Sequence, residues 1–187
     1  MKTMKIATGV IVLVLVLLSG CAPAWVRVDD SGRDYRGEHF SVTLPVGWLR
    51  LESDESLILS KDGILLQIIS IQFRPHKNTF EKIEKDSSTT MLPSELAQLA
   101  IAELKASQDD ALPSLEILRN APIELAGHTG FDIHLRYKTA AGLRMDMAMR
   151  GVVDNSGFYL LKFSAPTLHY YEHDRQTYET LTESLQL

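Results

Sequence analysis

Phe131-Asp132-Ile133-His134-Leu135-Arg136-Tyr137 and, a few residues on, Leu143-Arg144-Met145-Asp146-Met147-Ala148-Met149-Arg150 alternate apolar and polar side chains. Successive residues of a strand point to opposite faces, so the pattern predicts two half-buried β-strands. Ile133, Leu135, Met145, Met147 and Met149 then face a core, while Asp132, His134, Arg136, Arg144, Asp146 and Arg150 share the opposite face of neighbouring strands. Those six admit two readings. One is a polar groove for an anionic ligand or partner, with the three arginines as donors. The other is a cross-strand ladder of opposite charges on a wet sheet face, each pair contributing roughly 0.2–1 kcal/mol. Alternating charge is ordinary on an antiparallel strand, which favours the ladder. The methionines likewise read as core filler rather than a metal-binding set.

Similar signals extend in both directions. Phe40, Val42 and Leu44 alternate with polar neighbours, and Pro45-Val46-Gly47-Trp48 ends that strand in a turn. Leu57-Ile58-Leu59-Ser60 and Ile64 to Phe73 flank Lys61-Asp62-Gly63, a hairpin signal. The second of these runs is apolar on both faces, as a central covered strand would be. Pro93 to Ser107 reads as a helix: Pro93 suits its first turn, Glu95 complements the dipole, and Leu96, Ala100 and Leu104 recur at helical spacing. Leu115 to Leu118 and Ile123 to Leu125 read as a strand region interrupted at Pro122, and Gly127-His128-Thr129-Gly130 as the turn into Phe131. Phe158 to Ala165 is strand-like after Asp154-Asn155-Ser156-Gly157, and Tyr171, Tyr178, Leu181 and Leu185 mark one face of a C-terminal helix. The order is strands, helix, strands, helix, so the expected class is α+β, an antiparallel sheet with helices packed on it.

Phe40-x-x-x-Leu44-Pro45-x-Gly47-Trp48, Gly127-x-x-Gly130-Phe131 and Phe158-Tyr159-Leu160-Leu161-Lys162-Phe163-Ser164-Ala165-Pro166, before a terminal helix ending Ser184-Leu185, together resemble the PsbP-like domain. That superfamily includes extrinsic proteins of photosystem II, a Ran-binding protein of eukaryotes and many bacterial lipoproteins. The resemblance spans Phe40 to Leu187. It implies an α-β-α sandwich used as a non-enzymatic binding or assembly module, and it carries over no particular partner.

The N-terminus gives an address. Lys2 and Lys5 precede an apolar stretch ending Val10 to Leu18, and small residues follow, which is the layout of an export signal. The run is shorter than the roughly 20 apolar residues a membrane-spanning helix requires. Leu18-Ser19-Gly20-Cys21 resembles the lipobox of bacterial lipoproteins. In that family the chain is cut between the residues that stand here as Gly20 and Cys21, and the cysteine is acylated. Residues 1–20 are then a signal peptide, 21–37 a lipidated cysteine and tether, and 38–187 a single domain. Trp25, Val26 and Val28 interrupt the tether; they pack on the domain or sit at the bilayer interface, and packing is the favoured reading. Ala22, where an Asp would favour inner-membrane retention, implies by the same resemblance the periplasmic face of the outer membrane in a Gram-negative host.

Cleavage removes Lys2 and Lys5 from the 19 basic residues that face 24 acidic ones, so the formal charge of −5 becomes −7. Nucleic acid is an unexpected partner for such a chain, which lacks a basic stripe. With the only cysteine acylated, no disulfide and no thiol chemistry is available. The sequence contains no G-x-S-x-G elbow, phosphate loop, dinucleotide fingerprint or H-E-x-x-H pair, and no enzyme activity is expected. A hydrolase assembled from dispersed residues stays open. His169 and His173 stand four apart, on one face if the C-terminal helix starts that early, and such a pair can contribute to a metal site. Two ligands are too few for zinc, so a solvated helix start is the favoured reading and no cofactor beyond the covalent lipid is expected. The combined expectation is a membrane-anchored, non-catalytic interaction or assembly module of the bacterial envelope, partnered by the membrane through its lipid and by an unidentified envelope protein. The alternative is a small-ligand or metal-binding lipoprotein.

Overall fold

From Val26 the chain runs β1 (Val26–Arg27), β2 (Asp34–Arg36), β3 (Ser41–Thr43), β4 (Leu49–Ser53), β5 (Ser56–Ser60) and β6 (Ile68–Pro75). After a 3-10 turn at Glu81–Ile83 come α1 (Pro93–Ser107), β7 (Glu116–Leu125), β8 (His128–Lys138), β9 (Arg144–Val153), β10 (Gly157–Pro166) and α2 (Glu172–Glu183). This computed structural model describes residues 25–187 apart from 54–55, 109–111 and 113. The expected leader and cleavage point, and Cys21, lie outside the described residues. Eight strands form one sheet in the order β1-β4-β5-β6-β10-β9-β8-β7, and β2 and β3 pair separately. Every neighbouring pair is antiparallel. The expected α+β architecture is the observed one.

The two-residue period separates two apolar layers. Phe131, Ile133, Leu135, Tyr137, Met145, Met147, Met149, Phe158 and Leu160 form a core with Leu96, Ala97, Ala100, Ile101 and Leu104 of α1. On the other side, Leu57, Leu59, Ile69, Ile71, Tyr159, Leu161 and Phe163 pack with Tyr171, Tyr178, Leu181 and Leu185. The predicted Pro93–Ser107 helix is observed, and the Glu95 carboxylate accepts the Leu92 N–H at 2.8 Å, so an otherwise orphaned donor at the helix start is satisfied. The methionines are core residues, all three under 10% exposed.

Five local readings change. The segment expected as a tether belongs to the domain in its described part: Val26 and Arg27 pair with Arg50 and Leu49, and Val28 and Tyr35 are buried in the α2-side core. Asp29 stabilises the turn between them by accepting Gly32 N–H at 2.8 Å and the Ser31 hydroxyl at 2.7 Å. The domain therefore begins at Val26 or before, not at residue 38. The strand expected from Ile64 begins at Ile68 instead, because 61–67 forms a turn that leaves Ile64 and Leu65 exposed. β6 is nonetheless central. The Phe40–Leu44 alternation pairs with β2 and, through a bridge from Ser41 to Gln186, with the C-terminal segment, outside the main sheet. Pro122 does not interrupt β7, since β7 is an edge strand and can place a residue without an N–H on its free side. Finally, the turn is Ala126-Gly127, with φ of 50° and 79°, and β8 already starts at His128.

Candidate functional site

Strand register brings five of the six predicted polar residues together beneath α2. Asp146 pairs with Arg136 and Asp132 with Arg150 across β8 and β9. Asp146 Oδ1 lies 2.7 Å from His134 Nε2 and accepts from Arg136 Nη2 at 3.1 Å, while Oδ2 accepts from Arg136 Nε at 3.3 Å. The carboxylate is 1% exposed. Burial alone would push its pKa up; the Thr167 hydroxyl, Arg136 and His134 outweigh that and hold it below the usual aspartate value. Thr167 Oγ1 itself is buried without a partner at hydrogen-bonding geometry, so its effect on Asp146 is one of proximity.

Arg150 ties the sheet to the helix. Its Nε donates to Asp132 Oδ1 at 3.2 Å, Nη1 to Thr182 and Nη2 to Glu179, and its guanidinium lies 5.5 Å from the Tyr178 ring centroid. Arg119 approaches the second Asp132 oxygen at 3.3 Å. Burial works against the Arg150 charge, but Tyr178, Glu179 and Asp132 raise its pKa above the ordinary arginine value. A column of rings completes the contact: His134 stacks on Tyr171 at 5.1 Å, and Phe163 lies 5.1 Å from Tyr171 and 5.7 Å from Tyr178. Burial pushes the Tyr171 and Tyr178 hydroxyls well above the ordinary range, so both stay neutral.

This arrangement is neither the open groove nor the wet ladder expected. The charges do pair across strands, as the ladder reading requires, but the two carboxylates are buried while Arg136 keeps 35% of its side chain exposed. Arg150 holds the helix to the sheet through Thr182 and Glu179, while Asp146, His134 and Arg136 bond one another across the strands. Arg144 is the exception: it is exposed at the start of β9, opposite Lys138.

The histidine pair also differs from its expected geometry. His169 has φ 72° and ψ −63° and precedes α2, so the two histidines do not share a regular helix face. Their rings stack at 5.8 Å, and His173 Nδ1 lies 3.0 Å from Asp174 Oδ1. The same carboxylate accepts from the fully buried Gln67 at 2.8 Å and pairs with Lys61 at 3.6 Å. Among the described residues no three His, Cys, Asp or Glu side chains are grouped to hold a metal ion.

Sequence reasoning missed Arg119, Glu179 and Thr182, which complete the Arg150 cluster, and a second cluster on the α1 side. There Arg74 lies 3.6 Å from Glu103, whose other oxygen accepts the Lys82 N–H at 2.9 Å. Lys162 stands beside them, its amine pushed below the ordinary lysine value by burial and then by the Arg74 charge. The period of two places Lys162 on its face, but nothing in the sequence pairs Arg74 with a helix residue 29 positions away.

No family model and no curated protein matches the sequence. Solved structures do. The cyanobacterial PsbP (CyanoP) of Synechocystis sp. PCC 6803 aligns with a TM-score of 0.54 over 91% of this chain and 99% of its own, at 11% identity. The Ran-binding protein Mog1p of Saccharomyces cerevisiae aligns with a TM-score of 0.51 over 88% of this chain and 96% of its own, at 8% identity. The fold is PsbP-like. Within this PsbP-like fold the motif residues have structural causes. Gly47 has φ 86° in the turn that buries Trp48, and a Cβ on Gly130 would stand 2.1 Å from the Gly151 carbonyl oxygen. They specify packing and turns, not chemistry.

Proposed function

We propose that this protein is a lipid-anchored, non-catalytic interaction module of the bacterial cell envelope, on the periplasmic face of the outer membrane where the host has one. The observation that carries the non-catalytic part is the closure of the polar constellation: the carboxylates of Asp132 and Asp146 are buried, Asp146 against His134 and Arg136, and Asp132 against Arg150, which also reaches Thr182 and Glu179 of α2. A catalytic site needs groups converging on a space a substrate can enter. The sequence around Cys21 supports the anchor, and no helix among the described residues is long and apolar enough to cross a membrane. Sharing a fold with a cyanobacterial PsbP and a Ran-binding protein supports a role in binding other proteins and names no partner.

The test is a Cys21→Ser variant compared with wild type by membrane fractionation, together with mass spectrometry of the N-terminal peptide. Wild type is expected in the membrane fraction with an acyl-modified Cys21, and the variant folded in the soluble exported fraction. Persistent membrane attachment of the variant counts against the anchor. A small-ligand or metal-binding role at the sheet face or at His169 and His173 is the competing reading. Saturable zinc or anion binding by the dialysed, tag-free protein near neutral pH would establish it instead.

A further inference from the structure

Strand register puts Leu49 and Leu51 of β4, Ile58 of β5 and Ile68 of β6 on the α1 side of the sheet, interleaved with Ser56, Ser60, Ser70 and Gln72. The helix α1 packs over β7, β8 and β9, at the far end of the strand order. The four apolar side chains are consequently only half-buried, whereas Leu57, Leu59, Ile69 and Ile71 on the reverse of the same strands are 0% exposed. None of these eight α1-side residues is charged, and the cations on the same face flank them: Arg27 beside Leu49, Arg74 beside Gln72 and Lys162 opposite Ser70. At the β1 margin of this strip Trp25 is 40% exposed, and the turn after β5 exposes Ile64 and Leu65 at 54% and 85%. Alternation places Trp25 on the side of Arg27 and Leu49.

We propose that this helix-free half-face rests on the phospholipid bilayer that holds the Cys21 acyl chains, with Trp25 at the headgroup level. The inference rests on the lipoprotein reading above and adds the orientation of the domain. Cys21 stands four residues before Trp25, and a fully extended segment of that length reaches about 14 Å at most. The Trp25 margin cannot leave the vicinity of the headgroups. Tryptophan, with an apolar body and one N–H, belongs at that boundary. Between the flanking cations the strip presents leucine, isoleucine and serine, which can be pressed against lipid while Arg27 and Arg74 at its rim stay at the headgroup phosphates. It also supplies the second hold that acyl anchoring uses for stable attachment.

The chain has two tryptophans, and Trp48 is 3% exposed, so Trp25 reports on this face. Purified lipidated protein is placed in vesicles of phosphatidylethanolamine and phosphatidylglycerol carrying brominated acyl chains, and emission is compared with a Trp25→Phe variant. The expected result is a blue shift and a loss of emission in wild type that the variant lacks. Acylated protein that stays on the vesicles while Trp25 emission is unaffected by bromine overturns the orientation and leaves the anchor standing. An unmodified Cys21 with no retention on vesicles overturns both. Protection of Trp25 from iodide that grows with protein concentration in the absence of vesicles assigns the face to a second copy of the chain, and overturns the proposal as well.

Discussion

Asp146 and Arg136 are unequal partners, because the carboxylate is 1% exposed and the guanidinium 35%. Removing the cation leaves a buried anion with only His134 and the Thr167 hydroxyl beside it; Arg136→Met is expected to cost about 3 kcal/mol in urea unfolding. Removing the anion leaves an arginine that can reach water, so Asp146→Asn is expected to cost less, about 1–2 kcal/mol at neutral pH. The pH dependence separates these cases. Asp146 has a folded pKa below its unfolded value, so its contribution is complete above the ordinary aspartate value near 3.9 and is lost as pH falls through the lower folded value. The gap between wild type and Asp146→Asn should be constant above about pH 5 and close below about pH 4; a gap unchanged down to acid pH contradicts the assignment. His169 is a different residue-level case. A side chain at φ 72°, ψ −63° is strained, at roughly 1–3 kcal/mol, and glycine returns part of that as unfolded-chain entropy, so His169→Gly is expected to gain about 1 kcal/mol. The alternation from Phe131 to Arg150 told which side chains share a face. It could not tell that a helix covers that face, because Glu179 and Thr182 lie beyond any local pattern.

Hairpin geometry explains why β8 and β9 contain glycine where β-propensity alone would not place it. A Cβ on Gly151 would stand 2.5 Å from the Phe131 ring, and one on Gly130 would meet a backbone oxygen that cannot rotate away. Gly130→Ala is therefore expected to cost about 3 kcal/mol by overpacking, read as a lower urea midpoint with an unchanged slope. The helix α1 was the most legible element: proline at the start, Glu95 complementing the dipole and apolar residues at helical spacing defined it to the residue, whereas Tyr171 and Leu185, read as one face of the C-terminal helix, flank α2. Strand limits were less so. Ile64 and Leu65 look like strand interior by composition, yet they lie in a turn whose return is fixed by Gln67, a polar residue 0% exposed that bonds Asp62 and Asp174. Burial of an amide against a partner 107 positions away leaves no periodic trace.

The N-terminal segment is part of the whole fold, not an appendix to it. Val28 donates its N–H to Trp48 O at 2.8 Å and accepts from Gly47, and its side chain is 2% exposed. A chain beginning at Glu38 loses Val28 and Tyr35 from the core and is expected to be roughly 3–5 kcal/mol less stable than one beginning at Trp25; equal thermal midpoints would show that 25–37 is dispensable. Charge and apparent linker composition hid this, since Asp29, Asp30 and Asp34 lie on the exposed side of a segment whose few apolar residues point inward. The seam between β6 and β10 has a temporal consequence. β7 to β10 are joined by short connections and pair with their sequence neighbours, whereas β6 is bonded to a strand about ninety residues downstream, with Ile68 opposite Ser164. Native contacts of such long separation are slow to form, because the intervening chain must first be gathered. The C-terminal meander can assemble as a local unit, and β1, β4, β5 and β6 have no sheet to join until β10 has been synthesised. A chain delivered N-terminus first thus stays incomplete until β10 arrives, and its refolding should be limited by the docking of the early half onto the late one.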